Sequence, residues 1–155
     1  MKNKFRVFLD LEETVIDNWD NGMLVNSTHI REFLSAMGVA SFTVFSFAIE
    51  NEISKAIFEK NHRPFIEQAL DCKVALCPSI RDFQTNDTLV TGTFFNTMTD
   101  FILIRGKEGA FINWCRNKHP DENCVLVDDT VKNIDVIDRD TGQIIRFINV
   151  ATLGG

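Results

Sequence analysis

The run Phe5-Arg6-Val7-Phe8-Leu9-Asp10-Leu11-Glu12-Glu13-Thr14 decides how the rest of the chain reads. Its first five residues are apolar apart from Arg6, lack the strict alternation of a half-solvated strand, and stop at an acidic segment. A strand covered on both faces and ending in carboxylates suits the middle of a parallel sheet. Four more short apolar runs follow: Phe42 to Phe45, Val74 to Cys77, Val125 to Val127 and Ile144 to Ile148. Between the first two, Ile30, Phe33, Leu34 and Met37 fall on one helical face and Gly38 offers a stop. Ile49, Ile53, Ala56 and Ile57 repeat the pattern, and Pro64 can open a short helix through Leu70. Lys107 to Lys118 places Ala110, Phe111, Trp114 and Cys115 on one side before a break at His119-Pro120. This alternation predicts an α/β fold, a doubly wound parallel sheet with Rossmann-like layering.

Two stretches interrupt it. Val15 to Val25 reads as a short hairpin flap turning at Asp20-Asn21-Gly22. Ser79 to Arg105, rich in Thr, Asn and Asp, reads as a small insertion with Leu89-Val90 and Phe101 to Ile104 as candidate strands. With no repeat and no linker, residues 1–155 are expected to form one domain, large enough to bury its own core.

The formal charge of −6 disfavours nucleic acid or an anionic membrane as a standing partner and leaves nucleic acid as a substrate. The fourteen Phe are read as core filling. Cys72, Cys77, Cys115 and Cys124 have no zinc spacing and are expected as free thiols, and His29, His62 and His119 as surface or half-buried groups. No signal-like or membrane-length apolar stretch is present, so the expected compartment is the reducing cytoplasm.

In open α/β sheets ligands sit beyond the carboxyl ends of the strands. There the first run delivers Asp10, Glu12 and Thr14, the second Ser46, and the fourth Asp128 and Asp129, while Lys107 begins the helix before the fourth. These segments resemble the haloacid dehalogenase-like (HAD) hydrolases. Val7-Phe8-Leu9-Asp10-Leu11-Glu12-Glu13-Thr14 is similar to their DxDxT or DxDxV motif, Thr43-Val44-Phe45-Ser46 to their strand ending in Ser or Thr, and Lys107 to their lysine ahead of the last motif. Val125-Leu126-Val127-Asp128-Asp129-Thr130-Val131-Lys132-Asn133 is similar to their DDxxxN motif. The order matches too, over residues 5 to 133.

The resemblance implies a HAD-type fold and a Mg²⁺-dependent phosphomonoester hydrolase with an aspartyl-phosphate intermediate. Asp10 would be the nucleophile, Glu12 the acid/base, and Lys107 a catalytic charge that also contacts the phosphate. Ser46 and Thr14 would contact substrate. Asp10, Asp128, Asp129 and Glu12, the last through its backbone carbonyl, would surround the metal. Elementary chemistry asks for the same parts: a nucleophile, cations against the phosphate charge, and donors on its oxygens.

The family's phosphatases carry Asp where this chain has Glu12, one methylene longer. That leaves open an alternative, a catalytically weak or inactive phosphate- or protein-binding module. The short insertions imply a nearly uncapped site and a phosphorylated partner that covers it, such as a phosphoprotein or a nucleic-acid end. Nucleotides fit if Trp19, Arg81 or Arg105 supplies stacking and charge.

Overall fold

In the computed structural model, residues 4–85 and 98–154 are described, with backbone alone for 98–105. The order is β1 (Phe5–Leu9), α1 (Ser27–Met37), β2 (Ser41–Val44), α2 (Glu52–Asn61), α3 (Arg63–Leu70), β3 (Lys73–Leu76), α4 (Ile80–Thr85), α5 (Met98–Lys118), β4 (Asn123–Asp128), β5 (Ile134–Ile137) and β6 (Ile144–Asn149). The six strands make one sheet in the order β3-β2-β1-β4-β6-β5, parallel throughout except for the antiparallel β5–β6 pair.

Side chains along each central strand go alternately to two cores, because successive residues of a strand face opposite sides of the sheet. Val7, Leu9, Val44, Val125 and Val127 join Ile30 and Leu34 of α1, Phe58 of α2 and Ile66 of α3. Phe8, Phe45, Leu126 and Phe147 join Ile80 and Phe83 of α4 and Phe111 and Trp114 of α5. Phe8, Phe45, Phe83, Phe111 and Phe147 gather in this second core, where Phe45 stacks on Phe83 at 4.3 Å and Phe8 meets Phe111 edge-on at 4.9 Å. The fold is therefore a doubly covered, mostly parallel α/β sheet of Rossmann-like form.

Helix ends follow local chemistry. Gly38, at φ 68°, closes α1 in the left-handed region. The Asn51 side chain accepts from Ile53 N and Ser54 N to start α2. The last turn of α5 is held from a distance: the buried Gln143 amide donates to the carbonyls of His119 (2.7 Å), Glu122 (2.8 Å) and Cys115 (3.4 Å).

The flap expected at residues 15–25 is a hairpin, with Val25 N donating to Val15 O and Asp17 N to Met23 O, both at 2.8 Å. Asp17 Oδ1 accepts from Asn18 N and Met23 N and so fixes its turn. Several expectations need correction. Phe101 to Ile104, expected as a strand, lies within α5, whereas Leu89-Val90 falls outside the described residues. The short α4 and the four-residue β5 were not legible; β5 is an edge strand whose Ile134 and Ile137 face solvent, so it lacks a buried apolar pattern. His62, expected as a surface or half-buried group, is buried. The four cysteines are free, and among the described residues no helix is long and apolar enough to cross a membrane.

Candidate active site

After β1 the chain moves outward to β2 and β3, then returns over the other face through α4 and α5 to β4, on the opposite flank of β1. The strand order thus reverses between β1 and β4, and a crevice opens beyond their carboxyl ends. Leu9 is in register with Val127, and Asp10 N donates to Val127 O at 3.0 Å. The next residues along, Asp10 and Asp128, therefore stand side by side, 4% and 0% exposed.

Lys107 answers both charges. Its Nζ lies 2.7 Å from Asp10 Oδ1 and 2.5 Å from Asp128 Oδ2. It follows Gly106, where α5 is broken at φ 71° and ψ 172°, a conformation essentially confined to glycine. That break makes Lys107 the first residue of the helical segment running to Lys118. A cation there opposes the helix dipole, so its position is explained by the carboxylates it meets and not by helix stability.

The two aspartates differ. Burial pushes the Asp10 carboxyl up, Lys107 pulls it down, and the Asp128 charge adds to the rise, giving a pKa of about 6. Burial would raise Asp128 as well, but Lys107 and the Thr130 bonds outweigh it and hold that carboxyl below its usual value. Thr130 N and Oγ1 both donate to Asp128 Oδ1, at 2.8 and 2.9 Å. Lys107, despite its burial, is kept protonated by the two carboxylates.

Oxygen atoms of Asp10, Asp128 and Asp129 lie within 4.8 Å of one another. An all-carboxylate set of this kind suits a hard divalent cation and not zinc. Asp128 Oδ2 is buried and faces the Lys107 ammonium, which it shares with Asp10. The three groups therefore fit a metal ion, which would hold all of them in their charged form.

The remaining residues occupy distinct places. Ser46, at the end of β2 and 2% exposed, lines the cleft, and its Oγ accepts from Ala48 N at 3.2 Å. Thr14 is fully buried and is not part of the cleft wall; its hydroxyl donates to Asp10 Oδ2 at 3.0 Å and lies 3.5 Å from Asp129 Oδ1. Glu12 lines the cleft outside the aspartate cluster, with Oε2 accepting from Trp19 N at 2.8 Å. Asn133 binds the end of β6: its Oδ1 accepts from Asn149 N, and its Nδ2 donates to Thr152.

The open cleft of about 560 Å³ is walled further by Glu13, Trp19, Phe47 and Glu50. Arg81 is exposed and is not among its lining residues, and the Arg105 side chain lies outside the described residues. Two contributors escaped the sequence reading. Thr130 was quoted only as part of a motif, although a hydroxyl two residues after an acid can bond back to it. Asn149 donates to the carbonyls of Asp129 (3.1 Å) and Val131 (2.9 Å) and carries no local signal of that role.

Comparison with known proteins adds no relative. No protein-family model, curated protein or solved structure matches the chain.

Proposed function

We propose that the protein is a Mg²⁺-dependent phosphomonoester hydrolase of HAD type, acting through a phosphoaspartate at Asp10. The observation that carries this reading is the placement of Asp10 in one crevice with Asp128, Asp129 and the ammonium of Lys107. Asp10, Asp128 and Asp129 would hold the cation, with the Glu12 backbone carbonyl as a further oxygen. The ion would supply charge neutralisation for the bound phosphate.

Asp10 is ionised above about pH 6, and a cation beside it extends that range downward. Its carboxylate oxygen attacks phosphorus, the ester P–O bond breaks, and the departing oxygen takes the proton of Glu12. Water then attacks the phosphorus of the acyl phosphate and gives a proton to Glu12, releasing inorganic phosphate and restoring the Asp10 carboxylate. Ser46 and Lys107 bind the phosphoryl oxygens, and Thr14 orients Asp10. The open cleft favours a phosphorylated nucleotide, nucleic-acid end or phosphoprotein, each large enough to exclude water by covering it.

A second reading, a phosphate- or protein-binding module without turnover, is favoured by one observation: the Glu12 carboxylate, one methylene longer than aspartate, stands outside the cluster of Asp10, Asp128 and Asp129. Hydrolysis of an activated aryl phosphate separates the two. Wild type is expected to turn over with Mg²⁺ and stop with chelator, and Asp10→Asn to be inactive yet folded. Phosphate binding without hydrolysis would establish the module instead.

A further inference from the structure

We propose that His62 is a positioning residue for Glu12, acting by seating the hairpin that follows β1. His62 joins α2 to α3, and its side chain is 5% exposed. Its Nδ1 has no hydrogen-bond partner among the described residues. A buried ring nitrogen left unpaired costs stability where an apolar side chain would not, and His62 offsets that cost through one contact, which includes a hydrogen bond with the Trp19 backbone.

That contact is the hairpin. The Trp19 ring lies on His62 with centroids 4.6 Å apart, and Phe58 backs the imidazole at 6.4 Å. Gly22, at φ +64°, closes the other side: a Cβ there would fall 2.8 Å from Nδ1 and 2.9 Å from Cε1. The turn therefore approaches the ring as nearly as a glycine permits. The bonds of Asp17 preserve the shape of the hairpin but do not dock it on the domain.

Trp19 links the seat to the cleft. Its ring rests on His62, and its amide donates to Glu12 Oε2 at 2.8 Å. Loss of the seat frees Trp19, and a free Trp19 no longer fixes the longer carboxylate arm that stands in for aspartate. The kinetic consequence rests on the acid/base role given above to Glu12, so the test includes a measurement that needs no turnover.

That measurement is amide hydrogen exchange at Trp19 in the intact protein, by NMR, for wild type, His62→Ala, His62→Phe, Glu12→Ala and the His62→Ala/Glu12→Ala double variant. His62→Ala and Glu12→Ala should each speed exchange about tenfold or more, with the double variant no faster than the faster single one. His62→Phe, which keeps a ring beneath Trp19, should remain within about threefold of wild type, and the Thr130 amide across the cleft should not change. In aryl phosphate hydrolysis, His62→Ala should lower kcat about tenfold with KM and Mg²⁺ affinity nearly constant, and should add nothing to Glu12→Gln. Unchanged Trp19 exchange in His62→Ala, equal acceleration at Thr130, or multiplying losses with Glu12→Gln would each overturn the proposal. If wild type hydrolyses no phosphate ester, the proposed function fails and Trp19 exchange alone decides the role of His62.

Discussion

The loop after β1 and the loop after β4 begin alike, each with an aspartate at the end of a central strand, yet they are held by different means. The β4 loop is tied to its own sheet: Thr130 bonds back to Asp128, and Asn149 at the end of β6 takes the carbonyls of Asp129 and Val131. The β1 loop extends into a hairpin that leans on α2 and α3 through Trp19 and His62. The same residue type is consequently a fixed anion at Asp128, its pKa lowered, and an incompletely compensated one at Asp10, its pKa raised to about 6. A fixed charge can anchor a cation. An uncompensated one retains a demand for it, and a site needs one of each.

Removing the fixed anion should have the largest effect. Asp128→Asn is expected to weaken Mg²⁺ binding about 100-fold or more by calorimetry, because Lys107 and Asp10 cannot replace that ligand. Unchanged affinity would mean that the β4 loop does not anchor the metal. Loosening that loop without touching a ligand should act in the same direction and less strongly. Asn149→Ala is expected to cost about 10-fold in Mg²⁺ affinity and about 1–3 kcal/mol in chemical denaturation.

Gly106→Ala tests the cation shared by both loops. The added Cβ meets no atom within 4 Å, so any loss must come from the backbone at φ +71°. Denaturation should show about 1–3 kcal/mol of destabilisation, and if the break relaxes, Lys107 leaves its partners and hydrolysis falls.

The smallest effect sharpens the contrast in protonation. Because the folded pKa of Asp10 lies above its ordinary value, the folded state binds this proton more tightly than the unfolded chain. The Asp10 contribution is therefore greatest below 3.8 and is lost as pH rises through about 6. Metal-free protein should accordingly gain thermal stability on acidification through that window, and Asp10→Asn should reduce the gain, leaving the part due to Asp129, whose carboxyl burial also raises. Glu67 and Asp82 act oppositely: burial tends to raise both, but hydrogen bonds and Arg63 or Lys55 hold their pKa values down, so their contribution fades at lower pH still. A melting temperature that falls steadily from neutral pH, with no dependence on Asp10, would contradict this ordering.

Most of the sheet was legible because β1, β2, β4 and β6 carry mainly apolar runs, β4 buried along its whole length and the others interrupted at Arg6, at Ser41 and Thr43, and at Arg146. Asp10 and Asp128 were legible as carboxylates that follow such runs, whereas Lys107, at the start of a helix, took its meaning only from its order among the motifs. Glu12 was visible as a residue, but its Trp19 partner depends on how a hairpin folds back, which no spacing reports. The full burial of His62 was not legible because a histidine between two short helices is covered only once the flap lies over it. Edge strand β5 escaped because it is held by backbone pairing and the Asp135–Arg146 ion pair more than by burial.

Gln143 and Asn149 set a schedule for synthesis. The carbonyls at the end of α5 wait for an amide 21 to 28 residues further along, and the β4 loop waits for a side chain 18 to 20 residues beyond it. Until residues 143 and 149 have been added and have left the ribosome, these acceptors face water. The acidic crevice is therefore completed last, and a chain truncated before residue 143 should carry the motif residues without their metal affinity.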